Sequence, residues 1–246
     1  MCATCGCGDD AGVRVNGSPA HGHGHGVTTA VSLEQKVLAR NDELAASNRS
    51  WLAARGIVAI NLMSSPGSGK TTLLERTIRA LGPRVSVVEG DQETSFDADR
   101  IRATGAAVVQ VNTGAGCHLD SAMLARAFDT LAPPENSVVF IENVGNLVCP
   151  ALFDLGEHSR AVVVSVTEGA DKPLKYPHMF RTADVVLLNK MDLLPYVEFD
   201  IVRFRQSVIQ LSPSARVFEV SATRGDGIPE WYGWLQEVAG LQQEKV

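Results

Sequence analysis

Residues 57–72 read IVAINLMSSPGSGKTT: an apolar run, then a loop rich in serine and glycine, then a lysine and two threonines. A continuous apolar run of this length is typical of a strand that is buried on both faces of a sheet. The loop matches G-x-x-x-x-G-K-S/T at every required position except the first, where Ser64 replaces glycine. The stretch therefore predicts a strand, a phosphate-binding loop and the start of a helix, rather than a simple glycine-rich turn.

Six further apolar runs follow along the chain, and helical stretches such as TTLLERTIRAL and LDSAMLARAF separate several of them. This alternation is typical of right-handed βαβ units, which build a parallel sheet with helices on both faces. We expect the α/β fold of a P-loop NTPase: a doubly wound, mainly parallel sheet of about seven strands flanked by helices. The six runs are VSVVE, AAVVQV, SVVFIE, AVVVSV, VVLLN and RVFEV.

The chain of 246 residues divides into three parts by composition. Residues 1–26 are rich in Gly, Cys and His with few large apolar side chains, which predicts a flexible metal-binding tail. Residues 27–55 have apolar side chains at helical spacing, and a capping box at Ser32 marks where an ordered helix is expected to start. Residues 56–246 are expected to form the nucleotide-binding domain with a second metal site.

The overall charge and hydropathy exclude several classes of function. A formal net charge of −6 argues against a protein that binds nucleic acid or a membrane surface. No apolar stretch approaches the roughly 20 residues that span a bilayer. The N-terminus also lacks the basic start and apolar segment of a signal peptide. The sequence therefore predicts a cytoplasmic protein with neither a nucleic-acid nor a membrane partner.

The chemistry of phosphate binding explains the residue types of the predicted loop. Gly67 and Gly69 let the loop fold so that backbone N–H groups converge on phosphate oxygens. Lys70 adds a positive charge for the β- and γ-phosphates, and the hydroxyl of Thr71 is suited to Mg²⁺. The helix that follows presents its positive end to the phosphates. The residues expected to hold the nucleotide here are Gly67, Ser68, Gly69, Lys70, Thr71 and Thr72.

The sequence NKMD places Asn189, Lys190 and Asp192 at the end of another predicted strand. The Asp192 carboxylate suits the ring N–H and the exocyclic amine of guanine, a donor pair that adenine lacks. The stem of Lys190 covers the base, and Ser221 and Ala222, which follow the last apolar run, support it through backbone N–H groups. Together with the phosphate loop, and in this order, these residues indicate GTP or GDP rather than ATP.

Two acidic residues end predicted strands: Asp91 in VVEGDQET and Glu142 in VVFIENVGN. With Thr71 they are the candidate ligands of Mg²⁺, and ordinary polarity at strand ends is the alternative. Lys70 and Asp91 are the candidate catalytic residues. Neither a water-orienting glutamine nor an arginine finger is recognisable, so we expect hydrolysis well below the roughly 10 s⁻¹ of a median enzyme.

Three cysteines lie in the first seven residues, in the pattern C-x-x-C-x-C. Cytoplasmic thiols stay reduced, so clustered cysteines there more often bind metal or do redox chemistry than form disulfides. Cys2, Cys5 and Cys7 are candidate ligands of one ion, and a terminal or backbone nitrogen added to them gives a sulfur and nitrogen set that Ni²⁺ accepts. Three histidines follow, which either retain metal or belong to a solvated linker: His21, His23 and His25.

A second candidate metal set comprises Cys117 and His118, at a predicted strand-to-helix junction, and Cys149, seven residues beyond Glu142. Three ligands leave a tetrahedral ion one ligand short. Two copies of the chain across a symmetric dimer complete the shell by sharing thiolates. The alternative is that both cysteines are small buried hydrophobes and the histidine is a satisfied core residue.

These residues together resemble the hydrogenase nickel-incorporation GTPase family (HypB), a group of SIMIBI-class P-loop GTPases. The resemblance covers essentially the whole chain, and the combination of motifs is more specific than any one of them. The stretches that carry it are CATCGC, HGHGHG, SSPGSGKTT, EGD, GCHL, ENVGNLVCP, NKMD and VSA.

The resemblance implies a GTP-dependent homodimer that delivers Ni²⁺ to the immature large subunit of [NiFe]-hydrogenase, with a small zinc-containing HypA-like partner. It implies that the tail cysteines form the tight nickel site, and that Cys117, His118 and Cys149 take Ni²⁺ or Zn²⁺. Members of the family also use basic side chains across the dimer, for which Lys172 or Lys175 is the candidate. Residues 27–44 are where the family docks the HypA-like partner.

Three rival interpretations remain at this stage. One is a related nickel-insertion GTPase for urease (UreG-like), which shares the nucleotide motifs but does not account for the three-cysteine tail. Another is a GTPase switch with a non-metal cargo, in which the cysteines serve packing alone. The third is a passive nickel store that has lost turnover.

Overall fold

The structure, a computed structural model, describes residues 14–15, 18–19 and 27–240. Arg14–Val15 (β1) and Ser18–Pro19 (β2) pair as a short antiparallel ribbon. The first helix, α1, spans Val27–Ala53 and so begins five residues before the expected start at Ser32. Neither glycine nor proline lies between Val27 and Ser32, so nothing in the sequence prevents the helix from starting ahead of the capping box.

Seven parallel strands form the central sheet, in the order β5-β4-β6-β3-β7-β8-β9. Each strand coincides with one of the apolar runs, so the predicted parallel sheet of about seven strands is confirmed. The strands are Val58–Ser64 (β3), Val85–Asp91 (β4), Ala107–Asn112 (β5), Val138–Glu142 (β6), Ser159–Ser165 (β7), Val185–Asn189 (β8) and Arg216–Glu219 (β9).

Within the described residues, seven further helices connect or follow these strands. None of the helices in the described part of the chain combines the length and apolar character of a membrane span. The helices are Lys70–Leu81 (α2), Phe96–Arg102 (α3), Ser121–Leu131 (α4), Lys172–Lys175 (α5), Pro177–Arg181 (α6), Ile201–Leu211 (α7) and Ile228–Ala239 (α8).

Apolar side chains cover both faces of the sheet. On one face, Ile60 of β3 belongs to a core cluster that includes Trp231 of α8. On the other face, the neighbouring Ala59 packs in a cluster with Leu52 of α1 and Phe128 of α4. Because successive strand residues point to opposite faces, burial on both sides requires the continuous apolar runs seen in the sequence.

The central strand β3 positions the functional site. Its hydrogen-bonded neighbours are β6 on one side and β7 on the other. Ligands of open parallel sheets bind beyond the carboxyl ends of the strands, where the strand order reverses. The loop that follows β3 therefore lies at the place where this architecture binds ligands.

Candidate functional site

The loop between β3 and α2 is shaped by two glycines in the left-handed region. Gly67 has φ 76° and Gly69 has φ 93°, values that side chains disfavour. A Cβ on Gly69 would also lie 2.5 Å from Nδ2 of Asn189. Glycine at position 69 is thus required by both backbone conformation and the close approach of β8.

A cavity of about 540 Å³ opens above this loop. Loop residues 64–72 line it together with Asp91, Arg100 and Lys190. The hydroxyl of Ser68 is buried and has no hydrogen-bond partner among the described residues. Since α2 begins at Lys70, its unpaired N–H groups and positive dipole end face the cavity. The site is therefore suited to the phosphates of a nucleotide.

Glu142, at the end of β6, contacts the start of α2. The Thr71 hydroxyl donates to its Oε1 over 2.6 Å, and Lys70 Nζ lies 3.6 Å from the same atom. The other oxygen, Oε2, is buried without a partner in the described residues. Burial raises the pKa of Glu142 above its ordinary value, and the charge of Lys70 opposes that shift. A hydroxyl and a carboxylate with an unused oxygen form a donor set that suits Mg²⁺.

Asp91, at the end of β4, is the second acidic residue of the cavity. Its Oδ2 accepts hydrogen bonds from the backbone N–H and the hydroxyl of Thr94, over 2.7 and 2.6 Å. Partial burial acts against the charge, but these hydrogen bonds hold the pKa of Asp91 below its ordinary value. The carboxylate is therefore ionised at neutral pH and available to a cation or a cation-bound water.

The NKMD segment lies against the phosphate loop. Asn189 donates through Nδ2 to the carbonyl of Ser68 over 2.9 Å and accepts the N–H of Ala222 over 3.0 Å. Lys190 Nζ donates to the carbonyl of Gly67 over 2.7 Å. Asn189 thus holds the phosphate loop and the Ser221–Ala222 segment together, and Lys190 extends its stem across the edge of the cavity.

Asp192 lies within the 3-10 helix Met191–Tyr196, directly after this contact. Its Oδ1 accepts a hydrogen bond from the hydroxyl of Ser221 over 2.6 Å. Ser221 is fully buried, so it holds the carboxylate at a fixed position. Oδ2 can then accept one of two adjacent donors of a base, and Oδ1 can accept the other in addition to the Ser221 hydroxyl.

Cys117, His118 and Cys149 come together beyond the sheet edge, as the second candidate metal set requires. Their ligand atoms all lie within 4.8 Å of one another. Two ligands of one ion at about 2.0–2.3 Å are at most about 4.6 Å apart, so small side-chain movements suffice to close the site. The ring of Phe153 stacks on His118 with centroids 4.0 Å apart, which fixes the imidazole.

The protonation state of this cluster also suits a metal. Burial lowers the pKa of His118 below its ordinary value, and the charge of Asp120 only partly opposes this effect. The imidazole is therefore neutral at pH 7, the form that binds metal ions. Cys149 is buried within the 3-10 helix Cys149–Ala151, and Cys117 is half-buried.

One short segment joins the cavity to the metal cluster. It starts at Glu142, passes Gly145 and reaches Cys149. A Cβ on Gly145 would lie 3.2 Å from the backbone of Pro66 in the phosphate loop. The segment therefore touches the phosphate loop on its way from one candidate site to the other.

Comparison with known proteins identifies the family. The family described as "CobW/HypB/UreG, nucleotide-binding domain" matches residues 58–219. The hydrogenase maturation factor HypB of Azotobacter chroococcum mcd 1 is 51% identical over 228 residues, which is 91% of this chain and 75% of the relative. The chain belongs to the HypB family.

Two similarities to Helicobacter pylori proteins extend this result. The "hydrogenase/urease maturation factor HypB" of strain 26695 is 39% identical over 211 residues, covering 84% of this chain and 87% of the relative. The crystal structure of H. pylori HypB in complex with nickel matches with a TM-score of 0.77 and 37% identity, covering 84% of this chain and 99% of that one. The resemblance to the HypB family that the motifs predicted is thus confirmed, together with its fold.

Several predicted site residues lie outside the described residues or remain undecided. The tail cysteines 2, 5 and 7 and the histidines 21, 23 and 25 of this HypB-family chain lie outside the described residues, so their roles stay predictions. Of the two candidate basic residues, Lys172 lies 3.7 Å from Glu168, and Lys175 pairs with Asp171 at 2.7 Å. Glu168 also accepts a short hydrogen bond from Ser65 of the phosphate loop, so Lys172 is the nearer of the two.

Some polar residues around the HypB-family site were not found from the sequence. Arg100 of α3 lines the cavity and donates to Thr72 and Glu75 over 3.1 and 3.0 Å. Asn143 and Asn61 are fully buried and hydrogen-bonded to each other. The sequence offered one signal for the buried pair Asn143 and Asn61: Asn61 is a polar residue inside the apolar run IVAINLM.

Proposed function

We propose that this chain is a GTP-hydrolysing nickel metallochaperone that delivers Ni²⁺ during maturation of [NiFe]-hydrogenase. In this proposal the state of the nucleotide controls the handling of the metal. The observation that carries the proposal is the segment that begins at Glu142, beside Thr71, and ends in the metal cluster at Cys149. The names of the relatives, which are HypB and not UreG, support hydrogenase over a UreG-like role.

The nucleotide half of the proposal assigns a role to each residue of the cavity. Lys70 and the loop N–H groups hold the phosphates, and Asn189, Lys190 and Asp192 select guanine. Thr71, Asp91 and Glu142 would hold Mg²⁺, which supplies neutralisation of the charge that develops on the phosphates. Gln92 lines the cavity but donates through Nε2 to the carbonyl of Gly116 over 3.3 Å, so we do not assign it to orienting water and expect the isolated chain to turn over well below about 10 s⁻¹.

The metal half of the proposal uses two sites. The tail cysteines bind Ni²⁺ first, and the Cys117/His118/Cys149 cluster receives Ni²⁺ or Zn²⁺. This cluster offers three ligands, so a second copy of the chain supplies the fourth across a symmetric dimer. One exposed apolar side chain beside the cluster supports a self-association face there: Val148, next to Cys149, is 49% exposed.

The partners follow from the same role. A HypA-like zinc protein docks on the N-terminal half of α1, and the immature hydrogenase large subunit receives the metal. Neither partner is a nucleic acid or a membrane, in accord with the net charge of −6.

Equilibrium dialysis with Ni²⁺ tests the metal role. The full chain, a variant with Cys2, Cys5 and Cys7 changed to Ser, and a Cys117→Ser/Cys149→Ser variant are compared, with Thr130→Ala, at an exposed position of α4, as the control. We expect each cysteine variant to lose one class of site and Thr130→Ala to lose none. Unchanged binding in both cysteine variants would instead favour a GTPase with non-metal cargo.

A hydrolysis assay separates a chaperone from a passive store. The parent is expected to release phosphate from GTP in the presence of Mg²⁺, and Lys70→Ala to lose that release by about a hundredfold or more, as for other lost charge-stabilising groups. Equal rates for the two proteins would show that the loop does not act on GTP. Nickel transfer to apo-hydrogenase large subunit and to apo-urease, run in parallel, distinguishes the enzyme served.

A further inference from the structure

A chain of three buried polar side chains lies behind the metal cluster. Asn143 donates through Nδ2 to Oδ1 of Asn61, and Asn61 donates through Nδ2 to Oε1 of Glu157, each over 3.3 Å. All three residues are less than 7% exposed. Buried polar groups are costly unless they are hydrogen-bonded, so this chain is a structural unit rather than incidental polarity.

Asn143 is the member of this chain that contacts both functional regions. Its Oδ1 accepts the N–H of Val144 over 3.0 Å and the N–H of Leu119 over 3.2 Å. Val144 lies between Glu142, beside Thr71, and Gly145, which packs against the phosphate loop. Leu119 directly follows His118. One oxygen atom therefore joins the nucleotide-facing segment to the backbone beside a metal ligand.

The other end of this hydrogen-bonded chain of side chains, Glu157, lies close to the segment that follows Cys149. Glu157 accepts the N–H of Leu155 through Oε2 over 2.7 Å, and Arg160 donates to its Oε1 over 2.6 Å. Leu155 follows two residues after Phe153, whose ring stacks on His118. The buried chain thus supports both the Cys117–His118 arm and the segment beyond Cys149.

The hydrogen bond favours joint movement of the two segments. If the end of β6 moved without its neighbour, the buried N–H of Leu119 would lose its acceptor, which is unfavourable because a buried donor without a partner is not compensated for its lost hydration. A shift of Val144 and Gly145 with the nucleotide is therefore passed to Leu119 and to His118.

We propose that Asn143 is a positioning residue that couples nucleotide state to the geometry of the Cys117/His118/Cys149 cluster through its hydrogen bond to Leu119. The inference rests on the proposed function, because it needs a chain that binds both a guanine nucleotide and nickel. It adds a residue that holds neither ligand and carries the effect between them.

The test measures nickel affinity in two nucleotide states. The full-length chain with Cys2, Cys5 and Cys7 changed to Ser is titrated with Ni²⁺ in GDP and in a non-hydrolysable GTP analogue. Thiolate-to-nickel charge-transfer absorption reports the binding of Ni²⁺ to the Cys117/His118/Cys149 cluster. Asn143→Ala is compared with Asn41→Ala, which changes a matched buried asparagine on α1. Asn41 accepts the backbone N–H of Ser121 and donates to the carbonyl of Asp154. Neither partner belongs to the nucleotide-facing segment.

We expect the two nickel affinities of the parent to differ by about fivefold or more, within the usual range of coupling energies. Asn143→Ala should bring that ratio close to one, whereas Asn41→Ala keeps it. A parent-like ratio in Asn143→Ala overturns this inference alone. Equal affinities in the parent, or no nickel binding at all, overturn the proposed function and this inference with it.

A second measurement covers the case in which Asn143→Ala does not fold. In the parent, amide hydrogen exchange at Leu119 should be slow in both nucleotide states, because the two segments move as one. Rapid exchange at Leu119 in either state would show that the linking hydrogen bond is absent, and would overturn the inference.

Discussion

The hydroxyl of Thr71 donates a 2.6 Å hydrogen bond to Oε1 of Glu142, which joins the start of α2 to the end of β6. Lys70 lies beside the same oxygen. A magnesium ion that took the Thr71 hydroxyl and the unpartnered Oε2 of Glu142 as ligands would bind both sides of this contact. In the proposed function, nucleotide loading would therefore act directly on the segment that begins at Glu142.

Glu142→Gln is expected to weaken the binding of GTP with Mg²⁺ by about tenfold or more, because a charged ligand is replaced by a neutral amide of the same shape. Binding of GTP measured in EDTA should change little. Titration with a fluorescent GTP analogue, with and without Mg²⁺, reads both values. Glu135→Gln, at an exposed loop position, is the control, and an equal loss in both buffers would contradict the assignment.

Asp192→Asn is expected to change the base that the site prefers. The amide presents one donor where the carboxylate presented an acceptor, so guanine loses a partner and xanthine, with an oxygen at that position, gains one. We expect the ratio of GTP to XTP affinity to fall by about a hundredfold or more. Competition binding measures the ratio, with Asp129→Asn on the exposed face of α4 as control. A preserved ratio would remove Asp192 from base recognition.

The fold was predictable because its strongest signals are local. Each strand is buried on both faces, so it appears as an unbroken apolar run such as VVLLN. The phosphate loop was equally readable, since the positive φ values at Gly67 and Gly69 demand glycine. The predicted start of α1 was wrong by five residues, because a capping box at Ser32 does not prevent a helix from beginning earlier, at Val27.

The buried polar contacts were not predictable, because they join residues that are far apart in the chain. Asn143 and Asn61 are separated by 82 positions, and Asn61 and Glu157 by 96. Spacing reveals neighbours on one helix or strand and gives no information on such pairs. Gly90 of the EGD motif is similar: a Cβ there would lie 2.8 Å from Leu119, a contact visible only in the fold.

Glu89 gives a pH-dependent prediction about stability. It is buried on β4 in register with Glu142 of β6. Burial, followed by the charge of Glu142, raises the pKa of Glu89 from 4.5 to about 8. Below pH 4.5 the carboxyl is protonated in both the folded and the unfolded chain. Between pH 4.5 and 8 only the folded chain keeps the proton, so the free energy of unfolding falls as the pH rises.

Glu89→Gln removes this titration, so its melting temperature relative to that of the parent should rise from pH 5 to about pH 8 and then level off. Thermal unfolding without nucleotide or Mg²⁺ measures the difference, and Glu43→Gln on the exposed face of α1 provides the control. A difference that stays constant across this range would show that the Glu89 carboxyl does not titrate in the way its burial predicts.

Asn48 should contribute to stability by holding α1 on the domain. Its Nδ2 donates to the carbonyls of Ser121 and Leu155 over 2.9 and 3.1 Å, and the side chain is buried. Asn48→Ala should cost about 2 kcal/mol, because two buried acceptors lose their donor. Urea unfolding gives the value. The adjacent exposed Ser47→Ala should change it by less than about 0.5 kcal/mol, and equal effects would refute the assigned contacts.

The most direct test of the account is the nickel affinity of the Cys117/His118/Cys149 cluster in the two nucleotide states. The full-length chain with serine at positions 2, 5 and 7 is titrated with Ni²⁺ in GDP and in a GTP analogue, and the nucleotide affinities are measured with and without Ni²⁺. We predict different nickel affinities in the two states and, by linkage, the same factor between the nucleotide affinities measured with and without Ni²⁺. Nickel affinities that are equal in GDP and in the GTP analogue would contradict it.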